Sequence, residues 1–431
     1  MLKFRILFIA VAVLLIQTAT AQTDSLLIRL KNLPNVVEVN QIKANKLFKA
    51  AYVIMIDQPV DHNNPVSLHF KQRIVLSHID FTKPLVFVTE GYQADYALSF
   101  YYSEELSRYL NANQIVVEHR YFGKSVPSPL DWKYMNVAQA AADHHAILSI
   151  FKALYPGKWI STGISKGGQT SIYFRYFYPN DVDATVAYVA PINFALEDPR
   201  EEVFLNKVGD QTTRDKIFDF QKRLFENKKV LLTAFEKRAT QNNETFNRLG
   251  IEAAFDQMIL EYPFSFWQWG HGESEIAEAN DDSISMLNAL YRVVPANTFC
   301  DQEIEKFEPF FAQANNELGY YGYDVKPFQK WVKQKRYPNT ILGPVGLPVN
   351  YSPVMMKKVD QWLQSQAARL ICVYGQYDPW FASAAQIDHN PNTLKMVVAK
   401  GSHASRIATL NPEQKTIVFE KLSDWLGFKI K

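Results

Sequence analysis

Ser165 stands in Gly163-Ile164-Ser165-Lys166-Gly167, between a strand-like segment, Lys158 to Thr162, and a helical segment beginning near Gly168. A serine with glycine two residues away on each side suits a sharp strand-to-helix turn. The bend leaves no room for side chains beside it and presents the hydroxyl at the sheet edge. That hydroxyl is a weak nucleophile until a base takes its proton, and the base needs a carboxylate to orient it. In sheet proteins with this turn the chain order is serine, acid, histidine. Asp378, within Gly375-Gln376-Tyr377-Asp378-Pro379-Trp380, and His403, within Lys400-Gly401-Ser402-His403-Ala404-Ser405, follow in that order, each just past a strand-like run. Asp378 would alternatively cap the helix after Pro379, and Asp388 is the rival acid. His389 lies in a polar turn, while His144 and His145 lie inside a helical stretch, where one of them reads as a packing residue. The expected chemistry is acyl transfer. His403 accepts the Ser165 proton, Asp378 holds the ring, and backbone N–H groups meet the oxyanion. Lys166 supplies one such group, and Gly91 or Tyr92, in Glu90-Gly91-Tyr92, supplies the other.

These residues need a sheet to carry them. Ala51 to Ile56 and Leu68 to Ser77 read as strands, and Pro84 to Val88 as a short buried one leading to Glu90. A helix is expected over Ser99 to Leu110, then a strand over Gln114 to Glu118 and a helix over Val137 to Tyr155. After the Ser165 turn come a helix ending near Tyr178-Pro179 and a strand from Asp183 to Ala190. Strands alternating with helices at this spacing imply a mostly parallel sheet covered on both faces. From 194 to 344 the strand-like runs vanish. Helical segments such as Thr213 to Arg238 and Asn247 to Tyr262 dominate, interrupted by the aromatic patch Glu261 to Gly270. The strand pattern returns at Arg369 to Tyr374 and Thr393 to Val398, and a helix over Pro412 to Leu426 closes the chain. The expected organisation is a sheet domain in two parts, 22–193 and 345–431, with a mainly helical cap, 194–344, inserted between them.

Residues 1–21 have a positive start (Lys3, Arg5), an apolar run from Ile6 to Ile16 and Ala19-Thr20-Ala21 before Gln22. This is the pattern of a secretory signal peptide, with a core too short to span a bilayer. The mature chain is then expected to be secreted or periplasmic, with no integral membrane segment. Loss of Lys3 and Arg5 brings the formal charge from +2 to zero, and no basic block suits nucleic acid. Asp, Glu and His do not gather at metal-ligand spacing, so neither metal nor cofactor is expected. The 22 Tyr, 29 Phe and 8 Trp suit a deep apolar groove as well as a large core. The two cysteines, Cys300 and Cys372, are too few for a disulfide scaffold, although one bond between them is compatible with export.

Several motifs together resemble one family. Glu118-His119-Arg120-Tyr121-Phe122-Gly123-Lys124-Ser125, Gly163 to Thr170, Tyr176 to Asp183 and Asp378-Pro379-Trp380 are similar to secreted bacterial serine peptidases of the PS-10 tripeptidyl aminopeptidase type. More distantly they resemble the lysosomal Pro-X carboxypeptidase and dipeptidyl peptidase family, and Gln58-Pro59-Val60-Asp61-His62, with Gln72-Arg73 following, is similar to the opening of both families. The resemblance implies an α/β-hydrolase fold, a triad falling on Ser165, Asp378 and His403, and release of tripeptides from free N-termini. The relatives of the second group carry a small or polar residue where Lys166 stands and tyrosine in place of Phe122. An exopeptidase must hold a charged terminus, and Glu90 and Glu118, at the mouth of the sheet, are the expected anchors for a substrate ammonium. Trp267 and Trp269 are candidates for apolar subsites, alongside Phe264 and Phe266, unless the patch is the internal core of the cap. A carboxypeptidase would instead need a cation, for which Lys166 or Arg120 stands nearby. An esterase or lipase would use the same triad, and a binding protein that had lost activity would keep the fold.

Overall fold

The computed structural model describes residues 25–64 and 66–430, so the expected signal peptide, 1–21, lies outside the described residues. Among these, nine strands form one sheet: β1 (Val36–Ile42), β2 (Ala50–Pro59), β3 (His69–His78), β4 (Leu85–Thr89), β5 (Asn113–Val117), β6 (Trp159–Ile164), β7 (Ala184–Tyr188), β8 (Leu370–Gly375) and β9 (Thr393–Val398). Their order is β1-β2-β3-β5-β4-β6-β7-β8-β9. β1, β2 and β3 run antiparallel to their neighbours, and every pairing from β5 to β9 is parallel. This is an α/β-hydrolase fold with a mostly parallel sheet. The chain steps from β4 outward to β5, then crosses back over β4 to β6. That reversal opens a crevice outside the carboxyl ends of β4 and β6, where such sheets bind ligands.

The helices are α1 (25–31), α2 (Glu105–Leu110), α3 (Val137–Lys152), α4 (Lys166–Phe177), α5 (Pro199–Leu205), α6 (Gln211–Glu226), α7 (Lys228–Gln241), α8 (Ile251–Trp269), α9 (Ser283–Val293), α10 (Asp301–Gln313), α11 (Val354–Ser365) and α12 (Pro412–Leu426). Alternate residues of the central strands feed two cores. Val86 and Val88 of β4 pack with Leu106 and Leu110 of α2 and Val418 and Leu422 of α12. Leu85 and Phe87 face the other way, onto Ile147 and Phe151 of α3 and Phe174 of α4. Strands buried on both faces read as continuous apolar runs, which is why β4 and β8 are legible in the sequence. Helices α5 to α10 lie between β7 and β8 and share one large core with the side of the sheet that carries α3 and α4. No described helix is long and apolar enough to cross a membrane. Cys300 and Cys372 are both buried and free, so no bond joins them.

Four local expectations need correction. β1 was not expected, because as an outer strand it alternates poorly and keeps most of its side chains partly or fully in solvent. The helix over Ser99 to Leu110 starts only at Glu105. Gln114 of β5 accepts the Glu104 N–H at 2.7 Å and the Ser107 hydroxyl at 3.2 Å, a contact between elements that sets its first turn. Thr213 to Arg238 is two helices divided at Asn227. The aromatic patch does not interrupt the helix before it, since α8 runs through Pro263 to a left-handed Gly270. Pro263 has no N–H for the Ile259 carbonyl. Gln221 of α6 donates to that carbonyl instead, at 2.8 Å, and the helix continues.

Candidate active site

β6 delivers Ser165 and α4 begins at the next residue. Ser165 has φ 56° and ψ −121°, a conformation that non-glycine residues rarely adopt, and its N–H donates to the Tyr188 carbonyl at 2.8 Å. The cost is carried by close packing around the turn. A Cβ on Gly163 would stand 2.2 Å from the Gly167 carbonyl oxygen, and the Thr89 hydroxyl donates to that same carbonyl at 3.0 Å. Gly163→Ala should therefore force the turn open. The expected cost is about 1–3 kcal/mol of stability, seen as a lowered Tm, together with loss of turnover.

Asp378 follows β8 and His403 follows β9. The two meet in the interior, with His403 Nδ1 2.7 Å from Asp378 Oδ2 and neither side chain appreciably exposed. The second carboxylate oxygen accepts the Trp380 N–H at 3.2 Å, so Asp378 caps the short turn after it as well as holding the imidazole. With Nδ1 donating to Asp378, Nε2 keeps its lone pair. The backbone of His403 is fixed from both sides. Its N–H donates to Gln268 of α8 at 2.8 Å, and its carbonyl accepts from Arg406 at 3.0 Å. The rival acid Asp388 is exposed and paired with Lys395, and His389 is exposed. His144 is a packing residue. It donates to the Ala140 carbonyl at 2.5 Å, and burial pushes its imidazole down to about 4.

Glu118 does not fit the role of substrate anchor. Its carboxylate is fully buried and already accepts from Arg73, from the Ala94 N–H at 3.0 Å, the Lys124 N–H at 2.8 Å and the Ser125 hydroxyl at 2.8 Å. It ties the loops after β4 and β5 to β3. Arg120 is equally committed. It grips Asp143 with two 2.7 Å hydrogen bonds and donates to the carbonyls of Val60 and Tyr134, both at 2.9 Å. Burial alone would raise the Asp143 carboxyl, but Arg120 and His62 together hold it below its ordinary value. Gln58 and Gln72 complete the same network, reaching the Asp143 and Glu118 carbonyls. The Gln58-Pro59-Val60-Asp61-His62 and Glu118-His119-Arg120 motifs thus form a buried polar scaffold beneath the site. Lys166 is buried with its ammonium on the Gly91 carbonyl, so neither candidate cation is free to meet a substrate carboxylate.

Glu90 is half-buried at the end of β4 and accepts from the Tyr96 hydroxyl. Burial pushes its carboxyl up to about 7. Trp267 is buried against Gly209 and Tyr377 and belongs to the core. Trp269 is 57% exposed and meets the His403 ring edge-on at 5.8 Å between centroids. Beside it opens a cavity of about 410 Å³, walled by Tyr92 on one side and by Gln268 and Trp269 on the His403 side. Phe307, Phe310, Tyr320 and Tyr323 add an aromatic lining, and Glu261 contributes a carboxylate. Glu261 accepts from the hydroxyls of Ser265, Tyr321 and Tyr323 at 2.6, 2.8 and 2.9 Å. Burial raises its pKa. Sequence reasoning placed Glu261 only at the border of an aromatic patch. Its partners Tyr321 and Tyr323 lie some sixty residues on, with no local pattern to link them.

The sequence profile of the PS-10 peptidase S37 family matches residues 24–430. The prolyl tri/tetrapeptidyl aminopeptidase of Streptomyces mobaraensis is 33% identical over 391 residues, which cover 87% of this chain and 80% of the relative. The lysosomal Pro-X carboxypeptidase of Mus musculus is 27% identical over 157 residues, 32% of each chain. Among solved structures, the proline iminopeptidase of Mycobacterium smegmatis matches with a TM-score of 0.39 at 11% identity, over 86% of this chain and 97% of its own. The chain belongs to the PS-10 peptidase S37 family of serine peptidases.

Proposed function

We propose that the protein is an exported serine exopeptidase that releases short peptides, tripeptides foremost, from free N-termini. The observation that carries the reading is the buried Asp378–His403 pair at 2.7 Å, on the sheet edge to which β6 delivers Ser165. In the proposed reaction His403 Nε2 takes the Ser165 proton as Oγ bonds to the scissile carbonyl carbon. The N–H groups of Lys166 and the β4 loop stabilise the oxyanion. The imidazolium then protonates the leaving amine, the C–N bond breaks, and an acyl-enzyme remains. Water, deprotonated by the same imidazole, hydrolyses that ester and restores Ser165. Asp378 keeps the ring in the tautomer this sequence needs.

The segment 194–344 acts in this reading as a cap that closes the cleft to the interior of long chains. The name of the Streptomyces relative supports action at the N-terminus and a unit of three or four residues. A carboxylate facing the cavity is what a substrate ammonium requires; Glu261 and Glu303 line it, Glu303 paired with Lys306, and Glu90 stands at the end of β4 next to the lining residue Tyr92. Glu261→Gln should raise KM for free-amine peptides about tenfold, the worth of one charge-assisted hydrogen bond. It should leave kcat within a factor of a few, and Glu90→Gln run in parallel assigns the role if Glu261 does not hold it. The function itself is tested by digesting peptides with free or acetylated N-termini and reading the products by mass. Tripeptides released only from free-amine peptides are expected. Cleavage from the carboxyl end, or turnover of simple esters without peptides, would overturn the reading.

A further inference from the structure

We infer that the Lys166 side chain is a positioning residue of the oxyanion hole, clamping the Gly91–Tyr92 peptide so that the Tyr92 N–H faces the reacting carbonyl. The inference rests on the proposed assignment of Ser165 and of the β4 loop as an oxyanion donor. Lys166 Nζ donates to the Gly91 carbonyl oxygen at 2.8 Å in the interior. The Gly91 carbonyl and the Tyr92 N–H belong to one planar trans peptide unit, so they point in opposite directions. Holding the oxygen on the buried side therefore aims the N–H away from the ammonium and out of the core. Among the described residues that N–H makes no hydrogen bond, as an oxyanion donor requires. The Gly91 N–H, by contrast, is drawn to the Glu90 carboxyl beside it. A charged donor on the carbonyl also polarises the peptide and makes its N–H a stronger donor.

The surroundings are built for this contact. A Cβ on Gly91 would lie 2.5 Å from Lys166 Cβ, so only glycine lets the aliphatic stem pass against the loop. The ammonium lies 5.6 Å from the centre of the Tyr92 ring and 5.5 Å from that of Phe122. The next carbonyl, Tyr92, accepts the His119 N–H at 3.1 Å, so two successive peptide units are held from behind. Burial pushes the ammonium down to about 7 against the pull of Glu317 and Glu90. Protonated or neutral, the nitrogen keeps a hydrogen for Gly91, so the clamp does not depend on its charge. Lys166 thus supplies one oxyanion donor through its backbone and aims the second through its side chain.

The test compares Lys166→Met and Lys166→Gln with the native protein on a tripeptide p-nitroanilide with a free N-terminus. Two ligands join it: the matching tripeptide aldehyde, which adds to Ser165 and places an oxyanion in the hole, and the tripeptide amide, which does not. For Lys166→Met, kcat should fall by about 10–100-fold, part of the ~10²–10³ attached to a whole oxyanion donor, with KM nearly unchanged. Aldehyde affinity should fall by the same factor while amide affinity stays constant. Lys166→Gln keeps an N–H for the Gly91 carbonyl and should recover part of the loss. A kcat for Lys166→Met within twofold of native overturns the clamp, as does an equal loss of aldehyde and amide affinity. If the methionine variant does not fold, the glutamine variant decides on the same aldehyde-to-amide ratio, an intermediate loss upholding the clamp and native-like values or parallel losses overturning it. Ser165→Ala runs alongside, and turnover by that variant would sink the nucleophile assignment instead.

Discussion

Ser165→Ala is expected to lower kcat by about 10⁴–10⁶-fold with substrate binding retained, a loss of roughly 5–8 kcal/mol of transition-state stabilisation. The proposed acyl-enzyme forms on Ser165 Oγ, and no bond to the substrate carbonyl can form without it. What remains is the acceleration from oxyanion donors and binding alone. The fold should survive the change. The Ser165 hydroxyl caps nothing at the start of α4, and alanine occupies the same backbone conformation as serine. Equal melting temperatures and equal amide affinity, with turnover abolished, are the expected pattern. A residual kcat within tenfold of native would remove Ser165 from the reaction.

Asp378→Asn comes second, with an expected fall in kcat of about 10⁴-fold. Asp378 accepts the His403 Nδ1 hydrogen through Oδ2 and the Trp380 N–H through Oδ1. Asparagine has one acceptor oxygen for these two donors. With the oxygen on Trp380, the amide N–H₂ meets Nδ1 and drives the ring proton to Nε2, where the base must be empty. The volume is unchanged and the turn after β8 keeps its cap, so the variant should fold. Asp388→Asn is the control. That residue is exposed and tied to Lys395, and its replacement should leave kcat unaltered. An active Asp378→Asn with an inactive Asp388→Asn would reverse the assignment.

The placement of the candidate site residues was more legible than the contacts that hold them, for physical reasons. A nucleophile turn needs glycine at fixed offsets, and Gly163 is hemmed in by the Gly167 carbonyl just as that requirement implies. Asp378 and His403, chosen by chain order and by their place after strands, lie in direct contact. Buried parallel strands announce themselves as apolar runs, and α12 is marked by Asn411 at its cap, Pro412 and a closing Gly427. Tertiary partners are not so marked. Glu118 looks like a carboxylate at the cleft mouth until Arg73, 45 residues earlier, and the Ala94 N–H are seen to consume it. Gln221 rescues α8 at Pro263 by reaching the Ile259 carbonyl from 38 residues away, and Gln114 fixes where α2 begins. In the motifs by which the family is recognised, Gln58, Glu118, His119, Arg120 and Ser125 prove to be part of a buried framework. Trp267 and Trp269, two residues apart on α8, part company because one faces the core and the other the cavity.

The central claim is that Ser165 carries the acyl group. Its most direct test is reaction of the native protein with a fluorophosphonate reagent, followed by proteolysis and mass mapping. A single adduct on the peptide bearing Ser165, formed as peptidase activity disappears and absent from Ser165→Ala, is the predicted result. Loss of activity with the adduct on another residue, or full activity with Ser165 modified, would contradict it.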